Sequence, residues 1–185
     1  MRPVSTFLML PLLLVAAAMS SRPQGGVELS QVVREIEQLD AMRASLAQGF
    51  GDQGVAATRE TFSQVCRPVA ARAQQLASEN GWVVQQLAEK HRNPNNALDL
   101  EAVRAYRLML QEPQLMGLWV RTTMGGAEGA RYFRRIVVEQ ACLACHGPEV
   151  SRPDFVRQGY PQDKAFDFKI GDLRGVYSVF VPDPD

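Results

Sequence analysis

The run Cys142-Leu-Ala-Cys145-His146 constrains this chain more than any other feature. Two thiols lie three positions apart and an imidazole follows the second directly. Thiols so spaced can form thioethers to the two vinyl groups of a haem when the backbone turns tightly between them. The next residue then falls beneath the iron as a proximal ligand. The spacing therefore predicts covalent attachment of one haem c, with Cys142 and Cys145 as the attachment points and His146 on the iron. Three other chemistries share part of the pattern. A thioredoxin-like redox pair belongs at the start of a helix in a βαβ setting, early in the fold, whereas this motif lies late in the chain. A zinc site needs further ligands, for which only Cys66 and His91 are at hand. A plain disulfide would leave the histidine without a role.

Haem attachment of this kind requires export, and the N-terminus reads accordingly. Arg2 precedes an apolar stretch from Phe7 to Ala18, and Ala16-Ala17-Ala18-Met19-Ser20 offers a cleavage site for a signal peptide over residues 1–20. An uncleaved membrane anchor is the alternative. The apolar run is shorter than the roughly 20 residues a span needs, and Pro11 interrupts it. The expectation is an exported, periplasmic protein whose residues 21–185 form one domain, with no membrane insertion of that domain. Of 185 residues, 46% are hydrophobic and 22% charged, and the formal net charge is +0. That balance fits a packed globule and lacks the basic excess of a nucleic-acid-binding partner.

Apolar residues at Leu29, Val32, Val33, Ile36, Leu39, Met42 and Leu46 recur at helical spacing, predicting a helix from Val27 to about Phe50. A break is expected at Gly51–Gly54, then a second helix over Val55–Glu79, kinked or restarted at Pro68 and stopped at Asn80-Gly81. Trp82–Leu87 reads as a strand, and Asp99 as the N-cap of a helix over Leu100–Gln111. A hairpin follows, with strands 118–123 and 131–138 about the turn Gly125–Gly129. The haem motif, a polar loop from Gly147 to Asp172 and a last strand over Gly175–Val181 complete an α+β chain.

The third cysteine, Cys66, raises the question of a second axial ligand. No Met, His or Cys follows His146, so any second ligand lies upstream, among Cys66, His91, Met42, Met109, Met116 and Met124. A methionine in an apolar stretch is ordinary core, and His91 beside Arg92 reads as solvent-exposed. Cys66 lies on the apolar side of its helix and fits equally a buried structural thiol or an iron ligand.

Four segments stand in a distinctive order: Cys66 in a helix; Gly81-Trp82 followed by Arg92-Asn93-Pro94; the Cys142–His146 motif; then Tyr160-Pro161 and Gly171-Asp172-Leu173-Arg174-Gly175. In these the chain resembles the single-haem c-type cytochrome domains of the cyanobacterial Tll type, over roughly Leu29 to Val181. The resemblance implies a PAS-like fold, an antiparallel sheet flanked by N-terminal helices with the haem between them. It also implies a His/Cys ligand pair, which maps to His146 and Cys66. Arg134, Arg135 and Arg174 are candidates for the haem propionates, since guanidinium matches carboxylate geometry. Trp82 and Tyr177 read as core. A thiolate-ligated, six-coordinate iron implies low potential, and with it an electron-transfer or redox- or ligand-sensing protein working with a redox or signalling partner. The alternative is a haem enzyme, peroxidase-like or gas-converting, with a displaceable sixth ligand.

Overall fold

A computed structural model describes residues 29–52 and 57–184. The expected signal segment lies outside the described residues. Two long helices open the chain, α1 (Leu29–Asp52) and α2 (Arg59–Asn80). Helix α2 begins at a reciprocal cap, where Thr58 accepts from the Thr61 amide and Thr61 returns a bond to the Thr58 amide. It ends at Gly81, whose φ of 68° takes the left-handed turn that glycine accommodates without steric cost. Of the kink or restart expected at Pro68, no restart occurs: Pro68 lies inside a continuous α2. The carbonyl it deprives of a partner belongs to Gln64, an exposed residue, where water can take the place of the missing amide.

Strand β1 (Val83–Leu87) follows, then α3 (Leu100–Gln111), the hairpin β2 (Gly117–Met124) and β3 (Ala127–Val137), and finally β4 (Leu173–Pro182). Asp99 caps α3 as expected, accepting from the Ala102 amide at 2.9 Å. The hairpin is tighter than its sequence suggests. Met124 pairs with Ala127, so Gly125 and Gly126 alone make the turn, at φ of 59° and 88°. Two central residues with positive φ match the twist of the flanking strands.

The four strands form one antiparallel sheet in the order β1-β4-β3-β2. The architecture is α+β, with helices packed on the sheet. Alternation along β3 and β4 sorts their side chains to two faces. Tyr132, Ile136, Tyr177, Val179 and Val181 meet Val32, Ile36 and Leu39 of α1 and Val69 and Leu76 of α2. On the other face Phe133, Leu173 and Val176 pack against Ala102, Ala105, Tyr106 and Met109 of α3. Trp82 and Tyr177 are core residues, 4% and 0% exposed.

The long connection from β3 to β4 is more ordered than a polar loop. It contains a 3-10 turn (Gln140–Cys142), one turn of helix α4 (Leu143–His146), a second 3-10 turn (Glu149–Ser151) and the short helix α5 (Asp154–Gly159). Val138, Ala165 and Phe168 form a small core beneath it, with Cys142 and Leu143 against that core. Among the described residues no helix is long and apolar enough to cross a membrane.

Candidate functional site

The Cys142–His146 segment folds into the tight turn its spacing demands. Cys142 closes the 3-10 turn through its amide to the Glu139 carbonyl, at 3.0 Å. One turn of α4 then carries Cys145 and His146, sealed by the Gly147 amide bonding the Leu143 carbonyl at 2.8 Å. Residues three apart on such a turn share a face. Cys142, Cys145 and His146 accordingly line one wall of a cavity of about 910 Å³ at the end of the sheet, where β3 leaves and β4 begins. That volume lies within the roughly 300–1,000 Å³ typical of sites that enclose a cofactor-sized ligand.

The His146 ring is held in a defined orientation. Its Nδ1 stands 2.7 Å from the Ala165 carbonyl, which can only accept, so Nδ1 carries the proton and Nε2 keeps its lone pair. Arg92 Nη2 lies 3.3 Å from the same Nδ1 but donates instead to the Cys145 carbonyl, at 2.8 Å. Burial first, then the charges of Arg174 and Arg92, hold the imidazolium form well below its usual pH range, against the Ala165 hydrogen bond. The imidazole is neutral near pH 7, with its free nitrogen available to a metal.

Cys66 of α2 lines the same cavity. It is not packed into the core as its place on an apolar helical face suggests, but is open to the cavity. Enough protein still surrounds it that burial, with a smaller contribution from the Cys145 thiol, pushes it up to about 11. All three cysteines are unpaired. Of the other upstream candidates, His91 also lines the cavity, its Nδ1 buried without a partner, whereas Met42, Met109, Met116 and Met124 do not. Among the described residues no three His, Cys, Asp or Glu side chains gather as a metal cluster, so the zinc alternative has no assembled site.

The three arginines singled out from the sequence separate. Arg134 points to the α1 face, where it makes a two-pronged pair with Glu37 and bonds Asp40 at 2.5 Å. Arg135 faces α3 and donates to the carbonyls of Met109, at 2.6 Å, and Pro113. Neither lines the cavity, so neither is available to a ligand there. Arg174 does line it, and so do two arginines that the sequence did not single out, Arg43 and Arg92. Arg43 bonds Asp40 at 2.8 Å and reaches the Cys142 sulfur at 3.7 Å. Arg92 is held over the Tyr160 ring at 5.9 Å and against the wholly buried carboxylate of Asp163. Its place in the Arg92-Asn93-Pro94 segment was the available signal, although that segment reads as a turn.

The residues fit a covalently held iron macrocycle: two free thiols, a neutral imidazole aimed by a backbone carbonyl, and a third thiol share one cofactor-sized space. A family model described as Tll0287-like matches residues 27–182. Among solved structures, the crystal structure of the cyanobacterial heme-protein Tll0287 is similar at 41% identity, covering 88% of this chain and 97% of that one, with a TM-score of 0.73. Comparison with curated proteins gives no match.

Proposed function

The chain belongs to the Tll0287-like family, and on that premise we propose that it is an exported, periplasmic mono-haem c-type cytochrome acting in electron transfer or in redox or small-ligand sensing. The observation that carries the proposal is the meeting of Cys142, Cys145, His146 and Cys66 around one cavity. Cys142 and Cys145 would hold the haem through thioethers. His146 would bind iron through Nε2, and Cys66 would be the ligand from α2. The bound group would supply a one-electron iron couple. The residues set its character: the Ala165 carbonyl makes His146 a stronger donor, and a Cys66 thiolate favours ferric iron and lowers the potential. Raised to about 11 when the thiol is free, Cys66 becomes a thiolate near neutral pH only with the help of the metal, and its thiol form binds iron weakly. That supports a Cys66 that could release the iron, as sensing needs. The same property supports the second reading, a haem enzyme with a displaceable ligand.

Electron-spin-resonance and absorption spectra of the oxidised, full-length protein test the proposal. A low-spin ferric signal with thiolate character is expected, together with a pyridine haemochrome showing one covalent haem per chain. Cys66→Ser should raise the midpoint potential and shift the iron toward high spin. An unchanged spectrum in that variant removes Cys66 as a ligand. A high-spin wild type that binds cyanide rapidly favours the enzyme reading.

A further inference from the structure

The charges around the cavity do not balance. At the Cys142 end, Arg43 is matched by Asp40 at 2.8 Å and Glu139 at 3.4 Å. Around Arg92 and Arg174 the supply of anions is short. Arg92 meets Asp163 at 3.4 Å, but Arg152 shares that carboxylate at 3.2 Å. Arg174 meets no carboxylate among the described residues. Its Nη1 donates to the Lys90 carbonyl at 3.0 Å, and its guanidinium lies 5.3 Å from the Phe168 ring centre. The Lys90 ammonium sits over that same ring at 4.7 Å. Burial, and then the charge of Arg92, push Arg174 down to about 10, which expresses the cost of holding it there unpaired.

A part-buried guanidinium crowded by other cations and left without an anion is a costly feature for a fold to keep. Both arginines line the cavity, and each has donors left over: Arg92 Nη1, and the Nε and Nη2 of Arg174, have no protein partner among the described residues. Planar donors of this kind match a carboxylate, which can accept two parallel hydrogen bonds.

We propose that Arg92 and Arg174 form a seat for a carboxylate group at the cavity wall. Where the cavity holds haem, as the preceding section reads it, the carboxylates at hand are the haem's own propionates. A diffusible carboxylate anion is the other source of the same chemistry. Of the three arginines the sequence offered for propionates, this keeps Arg174, and it replaces Arg134 and Arg135 with Arg92.

The test compares the haem-loaded wild type with Arg174→Gln and Arg174→Lys, using pyridine haemochrome, the resonance Raman bending mode of the propionates, and spectroelectrochemistry. Arg174→Gln should keep one covalent haem and the axial-ligand spectrum, shift the propionate mode and lower the midpoint potential, because a positive charge facing the iron is gone. Arg174→Lys should restore most of the potential but not the Raman frequency, since it returns the charge without the planar fork. If Arg174→Gln does not accumulate, that Raman difference in the lysine variant carries the test alone. A propionate mode indifferent to both variants, with a wild-type potential that moves on adding acetate and an Arg174→Gln potential that does not, assigns the seat to a diffusible carboxylate. Variants that match the wild type in mode, potential and acetate response overturn the seat. A wild type without haem overturns the haem reading instead, and acetate binding by calorimetry, present in the wild type and lost in Arg174→Gln, then decides the seat by itself.

Discussion

Asp163→Asn is the substitution that most directly tests how the wall behind His146 is held. The Asp163 side chain is 0% exposed and faces two guanidiniums that are themselves only 11% and 14% exposed. It also accepts the Ala165 amide at 2.9 Å, and Ala165 is the residue whose carbonyl aims His146. Asparagine keeps the oxygen for that amide, removes the charge, and turns an NH2 donor toward Arg152 where the second oxygen accepted. Breaking a buried pair from one side costs ~3–5 kcal/mol. Arg152 retains Glu149 at 3.1 Å and Arg92 retains the Cys145 carbonyl, so the low end applies, ~3 kcal/mol. For a domain of this size that corresponds to a fall in Tm of ~6–12 °C. Thermal and urea unfolding of the haem-loaded protein would measure it. Adding Arg152→Gln to the variant should recover part of the loss, because it removes the cation that faces the new amide, and Glu149, 55% exposed, can be solvated without it. A loss within ~0.5 kcal/mol, the size of an ordinary surface substitution, would refute the reasoning, and so would a second substitution that deepens the loss additively.

Two further perturbations probe the scaffold. In Gly175→Ala the new methyl would stand 2.5 Å from the Leu87 carbonyl and 3.1 Å from the Ala88 Cβ, so β1 must separate from β4 beside the cavity. Urea unfolding should show a loss of ~1–3 kcal/mol, as for other overpacked sites. Asp99 caps α3 and also pairs with Arg131, whose side chain is 3% exposed. Asp99→Ala should cost ~2 kcal/mol and Asp99→Asn, which keeps the cap, about half that. Against the upward push of partial burial, the Arg131 hydrogen bond and charge and the Ala102 amide hold the Asp99 carboxyl below its usual 3.8. The contribution is therefore full above that value and lost as pH falls through the lower folded one, so the wild-type and Asp99→Asn unfolding curves should converge in acid.

What the sequence made legible was local chemistry. The Cys142–His146 turn, the Asp99 cap and the stop at Gly81 each depend on a handful of consecutive residues, and each forms as those residues dictate. Where a distant partner decides, the sequence was silent. Arg134 and Arg135 are adjacent basic residues in one strand, and the pleat sends them to opposite faces, the first to an acidic pair 94 and 97 residues upstream. Arg92 reads as part of a turn because its partners, Cys145 and Asp163, lie 53 and 71 residues away. Helix α5 hid in a polar stretch because a helix of 6 residues carries too little periodicity to register. Cys66 was placed on the apolar side of α2, and that face does turn inward, but at Cys66 it meets a cavity rather than packed side chains.

The two walls of that cavity are held in different ways, and the difference bears on function. The His146 wall is tied down by backbone and side-chain bonds on every side: Ala165 to the ring, the Phe168 amide to the His146 carbonyl at 3.1 Å, the Asp167 amide to Gly147 at 2.8 Å, and Arg92 to Cys145. Two thioethers would add covalent ties. The Cys66 thiol makes no hydrogen bond among the described residues, and its segment of α2 is anchored by packing alone, through Val69 and Leu76 further on and Phe62 one turn before, against Phe155 and Tyr160. A change of ligation would therefore break fewest contacts at Cys66, leaving the iron seated on His146. If haem is held as proposed, the fixed wall would set where it sits and the less constrained thiol which state it occupies, so oxidation or displacement of Cys66 would be read out by the haem without unfolding its site.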